Sequence, residues 1–404
     1  VQAICGTVRK RGEGIMSYKV VFLSIYFNHH QKPLSDALFR LTEGSFLFVE
    51  TQQMGEFRRK LGYVETERPD YVVRALTRQE QEALCKTVEE ADIVLMGHAP
   101  EFMLRDRIRS GKIIFRYSER PLKTGNDPLK YVPRLFRWHG FNPPGSRIYM
   151  LCASAYTPFD YAKFGLFRNR CYKFGYFPEF CPFREDELTA GKQGEPVRIL
   201  WAGRFIDWKH PESVLYLAEK LQDSGILFRI DMIGSGEMEE ELKARIEEEH
   251  LSDYVRMLGS MTPPEVRKHM EEASVFLSTS DRQEGWGTVL NEAMNAGCAV
   301  VASHAAGGAP FLIRHGENGM LFESGNWDSM TRAVLCLLKD TDRRAEIGIR
   351  AYRTIAELWN ADVAAERFLK LTRIIRENGE TPFPDGPCSK AEVLKDNWFK
   401  EEER

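Results

Sequence analysis

No two cysteines stand three residues apart. The eight present (Cys5, Cys85, Cys152, Cys171, Cys181, Cys298, Cys336 and Cys388) are scattered through 404 residues, which fits reduced thiols and argues against a zinc site or a disulfide scaffold. No apolar run approaches the roughly 18 residues of a membrane span, and the opening VQAICGTVRKRGEGI lacks the apolar stretch of about 7–15 residues that a secretory signal carries. Net charge is nearly absent, since 56 Lys and Arg stand against 59 Asp and Glu. These absences lead us to expect a cytoplasmic globular protein. Its length allows two or three domains.

The small net charge hides an uneven distribution. Residues 103–184 hold 16 Lys and Arg against 5 Asp and Glu, and 18 of the 46 aromatic residues. Such a stretch meets something anionic. A nucleic-acid reader would use it, but would leave idle the constellation of the second half described below, so we expect no nucleic-acid partner.

Residues 1–15 are polar and basic and precede Met16; they are expected to be an extension outside the fold. From Tyr18 onward, short apolar runs such as YKVVFLSI, SFLFVE, ADIVLMG and KIIFRY alternate with helix-length segments. That alternation predicts right-handed βαβ units and a doubly wound parallel sheet. The polar stretch TAGKQGEP at 189–196 marks a boundary, after which VRILWAG, LFRIDMIG, VRMLG, SVFLSTS and AVVAS repeat the pattern. The expected class is α/β, with one Rossmann-like domain over 16–188 and a second over 189–378. The tail 379–404 is expected to fold back on the first domain. Such folds bind ligands in the cleft between facing strand ends.

Three segments of the second half carry chemistry. In GRFIDWKH, Gly203 ends a strand and Arg204 and Lys209 lie five residues apart in the loop beyond it. Two cations at a strand's carboxyl end suit a diphosphate, Arg as a planar fork and Lys as a point charge. In SDRQEGWGTVLNEAMNAG, Glu284 precedes a helix expected to start near Thr288, with Glu292 one turn in on the same face. The backbone N–H groups of Trp286, Gly287 and Thr288 are expected to face the cleft, and Gly285 and Gly287 to allow close approach of a ligand. In ASHAAGGAPFLIRHGENGMLF, Gly307 and Gly308 follow a buried strand and HGENG marks a turn.

Order, spacing and context of these segments together resemble the nucleotide-sugar-binding half of the family 4 (group 1) glycosyltransferases, whose architecture is two facing Rossmann-like domains, called GT-B. The resemblance covers about 197–375 strongly. It implies a retaining transfer of a hexosyl group to a sugar hydroxyl of a polysaccharide intermediate, lipid-linked in similar enzymes. It further implies that Arg204 and Lys209 hold the donor diphosphate, Glu284 contacts the transferred sugar and Glu292 the ribose. The co-substrate would be a nucleoside diphosphate sugar, UDP-sugar favoured, with no bound cofactor and no metal. The chain departs from the family pattern at Phe311, where a Glu is usual, in the first βα loop YFNHHQKP, which has no glycine, and at the end of the fifth strand, where Ser118 and Glu119 stand in place of a His. His29, His30, His98, Ser118 and Glu119 are therefore the acceptor-side candidates.

Rival readings are a nucleotide-sugar epimerase of the same fold and an inactive sugar-nucleotide-binding protein. GSGEME begins a dinucleotide fingerprint but has Glu239 where the last glycine belongs. Asp340-Thr341-Asp342 reads as a helix cap rather than a metal motif. In PLKYVPRLFRWHGF, Lys130, Arg134 and Arg137 recur at helical spacing beside Leu135, Phe136 and Trp138, with Pro133 expected to kink or interrupt the helix. A basic face with aromatics suits peripheral attachment to the inner, anionic face of a membrane.

Overall fold

The computed structural model describes residues 18–55, 67–125 and 127–400, so the expected N-terminal extension lies outside the described residues. Thirteen strands are described, forming two wholly parallel sheets. The first contains β1 (Val20–Ser24), β2 (Phe46–Glu50), β3 (Val72–Arg74), β4 (Ile93–Met96), β5 (Ile114–Ser118), β6 (Ile148–Cys152) and β7 (Cys171–Lys173), in the order β3-β2-β1-β4-β5-β6-β7. The second contains β8 (Val197–Ala202), β9 (Phe228–Ile233), β10 (Val255–Gly259), β11 (Val275–Ser278), β12 (Ala299–Ser303) and β13 (Met320–Phe322), in the order β10-β9-β8-β11-β12-β13.

The central strands read as unbroken apolar runs because helices cover both faces; every residue of VVFLS in β1 is buried. In each sheet the order reverses at the first strand, β1 pairing with β2 and β4, and β8 with β9 and β11. That reversal opens a crevice at the carboxyl ends of the strands. Strands β3, β6, β7 and β13 were not among the expected elements. β3, β7 and β13 have three residues each, too few to show a period, and β6 and β7 lie within the aromatic, basic stretch where apolar residues serve helices and strands alike.

Helix boundaries follow local chemistry. Thr262 and Glu265 form a reciprocal capping box before Pro263–Glu272. Asp340 accepts from the Arg343 N–H at 2.9 Å to cap Thr341–Glu357, which accounts for the Asp-Thr-Asp triplet. Lys192, in the boundary segment, is buried and donates to the carbonyls of Met270 (3.1 Å) and Ala296 (2.5 Å), at the ends of Pro263–Glu272 and Thr288–Asn295. It pins the linker beneath the helix that carries Glu292.

The two halves are joined again further on. Helix Ala361–Arg376 packs on Lys32–Leu41 of the first domain, with Phe368 against Phe115 at 4.9 Å between ring centroids. The tail then pairs with β7: Lys173 N–H donates to Ser389 O (2.8 Å) and Ala391 N–H to Cys171 O (3.0 Å). This covers an edge strand that would otherwise expose its backbone.

The helix over Pro128–Phe141 is continuous through Pro133, contrary to the expected interruption. The carbonyl four residues earlier belongs to Leu129 in the first turn, which is 88% exposed, so the bond that Pro133 cannot make falls at a solvent-facing position. Its faces also differ from expectation. Leu135 and Trp138 turn inward, Trp138 packing on Tyr161 and Phe164, while Leu129, Val132 and Phe136 point outward at 88%, 55% and 73% exposure.

Candidate active site

At the end of β8 the chain is held tightly. A Cβ at Gly234 would lie 1.8 Å from Gly203 O, and one at Gly236 2.3 Å from Phe205 O, so the GSG segment after β9 packs backbone to backbone on the loop after β8. This packing, not a dinucleotide, accounts for those glycines. A short 3-10 turn, Asp207–Lys209, follows, and His210 reverses the chain in a left-handed conformation (φ 50°). Thr279 Oγ1 donates to Lys209 O (2.5 Å) and Asp281 N–H to Trp208 O (3.0 Å), fastening this turn to the loop after β11. The five-residue spacing thereby places both cations on one indole: Arg204 Cζ lies 5.4 Å and Lys209 Nζ 4.9 Å from the Trp208 ring. Trp208 is their common support.

Lys209 Nζ is ion-paired with Glu284 Oε2, both side chains being about 15% exposed, at 15% and 14%. Ser280 Oγ donates to the same oxygen at 3.3 Å. Burial pushes the Glu284 carboxyl up, but the ammonium of Lys209 and the more distant charge of Lys123 outweigh it and hold the group below the usual carboxylate range. Glu284 is thus a buried, ionised carboxylate.

The helix Thr288–Asn295 begins where the spacing predicts, after Gly287 at φ 87°. Glu292 is half-buried on it, and burial, partly offset by Arg267, pushes its carboxyl up to about 7. No contact among the described residues joins Glu292 to the Lys209–Glu284 pair. Trp286 differs from a ligand platform: it is buried, donates from Nε1 to Asn291 Oδ1 (2.8 Å), and lies flat against Gly175 of the first domain, where a Cβ would come within 2.3 Å of the ring.

Gly307 and Gly308 also serve the junction rather than an open surface. A Cβ at Gly307 would lie 1.8 Å from Gly285 O and 2.6 Å from Ser154 Oγ, and one at Gly308 2.7 Å from Trp286 O. Ala155 N–H donates to Gly307 O at 2.8 Å, so the first domain bonds directly to this loop. Phe311 stacks on Trp359, with interplanar angle 17°, and sits under Lys173.

The first domain's wall of the cleft is the segment after β5. Ser118 Oγ donates to Glu119 O (2.7 Å). Glu119 pairs with Lys123 and rests on Gly285, where a Cβ would be 2.0 Å from Glu119 Oε2. His98 is exposed on the loop after β4 and reaches none of these groups. His29 and His30 lie against each other with their rings tilted at 44°, centroids 3.9 Å apart, just before Lys32–Leu41; burial and the His29 charge push His30 down to about 3, so it stays neutral. The structure therefore brings Arg204, Lys209, Glu284, Gly285 and Glu119 together. It leaves the three histidines outside that group.

Sequence reasoning expected the tail to return to the first domain but did not find Lys123, the part of Trp208, or Asp396's place in the junction. Asp396 pairs with Arg120 (2.8 Å), next to Glu119, and with Arg282 (3.7 Å), two residues before Glu284. Only the Glu119-to-Lys123 spacing of four was visible in advance. Among the described residues no cluster of three or more His, Cys, Asp or Glu could hold a metal ion, and no helix is long and apolar enough to cross a membrane.

Two parallel sheets facing across a cleft, with a C-terminal helix returning to the first domain, define the class: this is a GT-B fold. The chain superposes on Anabaena Alr3699/HepE in complex with UDP-glucose at a TM-score of 0.60, with 16% identity, covering 87% of this chain and 99% of that one. The corresponding values for sucrose-phosphate synthase from Thermosynechococcus elongatus are 0.62, 16%, 89% and 99%. Residues 183–354, less than half of the chain, match the family model described as Glycosyl transferases group 1. Among curated relatives, the amylovoran biosynthesis glycosyltransferase AmsK of Erwinia amylovora is 27% identical over 182 residues, 44% of each chain. The GDP-mannose-dependent alpha-(1-6)-phosphatidylinositol monomannoside mannosyltransferase of Mycobacterium tuberculosis is 28% identical over 186 residues, 45% of this chain and 48% of that one. The matched region spans less than half the length of either relative.

Proposed function

We propose that this protein is a retaining glycosyltransferase of polysaccharide biosynthesis, moving a hexosyl residue from a nucleoside diphosphate sugar, with UDP-sugar favoured, to a sugar hydroxyl of a lipid-linked intermediate. The observation that carries the reading is the seating of Arg204 and Lys209 on one indole beside the ionised Glu284. Charge develops on the departing diphosphate, and preorganised cations in a partly buried site stabilise it where it forms. Arg204 offers the fork and Lys209 the point charge, which Glu284 and the diphosphate would share. Glu284 is placed to accept from hydroxyls of the transferred sugar, and Glu292 from those of the ribose. In the transfer the bond from the anomeric carbon to the phosphate oxygen breaks and a bond to the acceptor oxygen forms on the same face. The acceptor proton passes to the leaving phosphate oxygen.

A thermal-shift screen over UDP-, GDP- and TDP-sugars tests this. The matching donor at 100 times its dissociation constant is expected to stabilise the fold by roughly 2.7 kcal/mol. No stabilisation by any of them would refute the donor reading, and conversion of a donor without an acceptor would point to an epimerase.

Glu292 sets a pH dependence. Its folded carboxyl is pushed from 4.5 to about 7, so its stabilising contribution is complete below about pH 4.5 and is lost as pH rises through 7. Stability of the wild type should fall over that interval relative to Glu292→Gln. UDP affinity should move the other way, rising through about pH 7 as the carboxylate forms, and Glu292→Gln should weaken UDP binding and flatten the profile. Calorimetry at pH 5.5, 7 and 8.5 checks both; identical profiles in the two proteins would remove Glu292 from the ribose site.

Attachment to an anionic membrane is part of the proposal. Leu129, Val132 and Phe136 form an outward stripe at spacing 3 and 4, flanked by Lys130, Arg134 and Arg137. Each cation near an anionic leaflet contributes about 1 kcal/mol, enough together for weak, salt-sensitive binding. The protein should pellet with vesicles containing anionic lipid at low salt, and not with neutral ones. Leu129→Asp with Phe136→Asp should abolish pelleting; equal pelleting in all conditions, or none in any, would count against the surface.

A further inference from the structure

Glu119 is a carboxylate that the first domain lays on the donor half of the cleft, against Gly285. It follows directly on β5, and a Cβ at Gly285 would stand 2.0 and 2.6 Å from its two oxygens. Gly285 adjoins Glu284, so the two carboxylates flank one stretch of backbone. Lys123, one helical turn's spacing beyond Glu119, pairs with Oε2, and its charge also acts on Glu284. The cation thus bears on both carboxylates and makes their approach tolerable. Side-chain exposure is 28% for Glu119 and 36% for Lys123, so the pair is open to the cleft rather than sealed in the junction. Among the described residues Oε1 takes no hydrogen bond, whereas the neighbouring Ser118 hydroxyl is already spent on Glu119 O.

We infer that Glu119 binds the acceptor, its Oε1 accepting a hydrogen bond from a hydroxyl of the attacking sugar, with Lys123 as its counter-ion. The inference rests on the transfer reaction proposed above. An acceptor entering from the first domain meets this oxygen before it reaches the sugar held at Glu284. The chemistry suits a neutral polyhydroxyl compound, because a hydroxyl both donates to the carboxylate and needs no counter-charge. A charge-assisted bond of this kind is the stronger sort. Loss of it shows in use of the acceptor and not in binding of the nucleotide.

UDP release from UDP-glucose is followed with the full chain, with water alone and with octyl glucoside as the acceptor probe, beside UDP binding by calorimetry. Glu119→Gln is expected to lower the ratio of transfer to hydrolysis about 10- to 100-fold, the scale of one hydrogen bond to a charged group, while UDP affinity stays within about twofold. Glu119→Asp should recover part of the ratio, and Lys123→Met should lower it less than Glu119→Gln. A purely structural role would alter melting temperature and leave the ratio alone. An unchanged ratio in Glu119→Gln overturns the assignment even if UDP binds and transfer proceeds; wild-type protein that fails to bind UDP overturns the reaction reading beneath it.

Discussion

Replacing Arg204 or Lys209 by alanine is expected to lower turnover by about 10²- to 10³-fold each, the scale for removing one charge-stabilising donor, or roughly 3–4 kcal/mol of transition-state stabilisation. The two should fail differently in the absence of donor. Arg204 rests on the Trp208 ring and has no ion pair among the described residues, so its loss leaves the fold intact. Lys209 neutralises Glu284, and its removal strands a buried carboxylate. Lys209→Ala should therefore also raise the Glu284 carboxyl toward or above its ordinary range, and the residual activity should shift toward higher pH. Steady-state kinetics across pH, with circular dichroism to verify folding, separate these effects. Unchanged donor affinity and turnover in both variants would remove the diphosphate from this loop.

The largest loss of stability is expected at Arg120. Its side chain and that of Asp160 are wholly buried, paired at 3.0 Å, and the guanidinium lies 4.8 Å from the Tyr156 ring centroid. Asp160 also accepts from the Leu122 N–H at 3.0 Å and so shapes the loop that carries Glu119 and Lys123. Arg120→Ala leaves the Asp160 charge in the interior and should cost about 3–5 kcal/mol, the range for breaking a buried pair from one side. Asp396→Asn, removing a partner that is 37% exposed, should cost about 1 kcal/mol or less. Denaturant unfolding of the three proteins checks the order; equal midpoints for Arg120→Ala and wild type would mean that the pair contributes nothing.

The contrast between these two predictions follows how each group could be read. Arg204 and Lys209 declared themselves because the cations flank a strand end in a spacing that only a loop satisfies. The Glu284 to Glu292 interval likewise declared a loop followed by a helix, and the helix begins at Thr288 as the spacing requires. Arg120 and Asp160 are forty residues apart in sequence and share no local pattern. Gly307 and Gly308 were legible only as glycines in a turn-rich loop after a buried strand. The structure packs them on the backbone of Gly285 and Trp286 and on the side chain of Ser154.

By itself the sequence determined the two α/β halves, five of the six strands of the second half, the cap at Asp340, and the cation and carboxylate spacings. All of these are set by periods of two or 3.6 residues and by bonds between groups a few positions apart. Only the tertiary structure decided that Glu119 lies on Gly285, that Trp208 supports both cations, that Trp286 is buried on Gly175, and that Asp396 joins the loops carrying the two carboxylates. The physical reason is the domain junction: burial there is created by surfaces distant in sequence, and a side chain's neighbours across it, its desolvation and its charge are properties of the packed pair. The same holds for the helix over Pro128–Phe141, where packing against Tyr161 and Phe164 chose Leu135 and Trp138 for the inside and left Leu129, Val132 and Phe136 facing out.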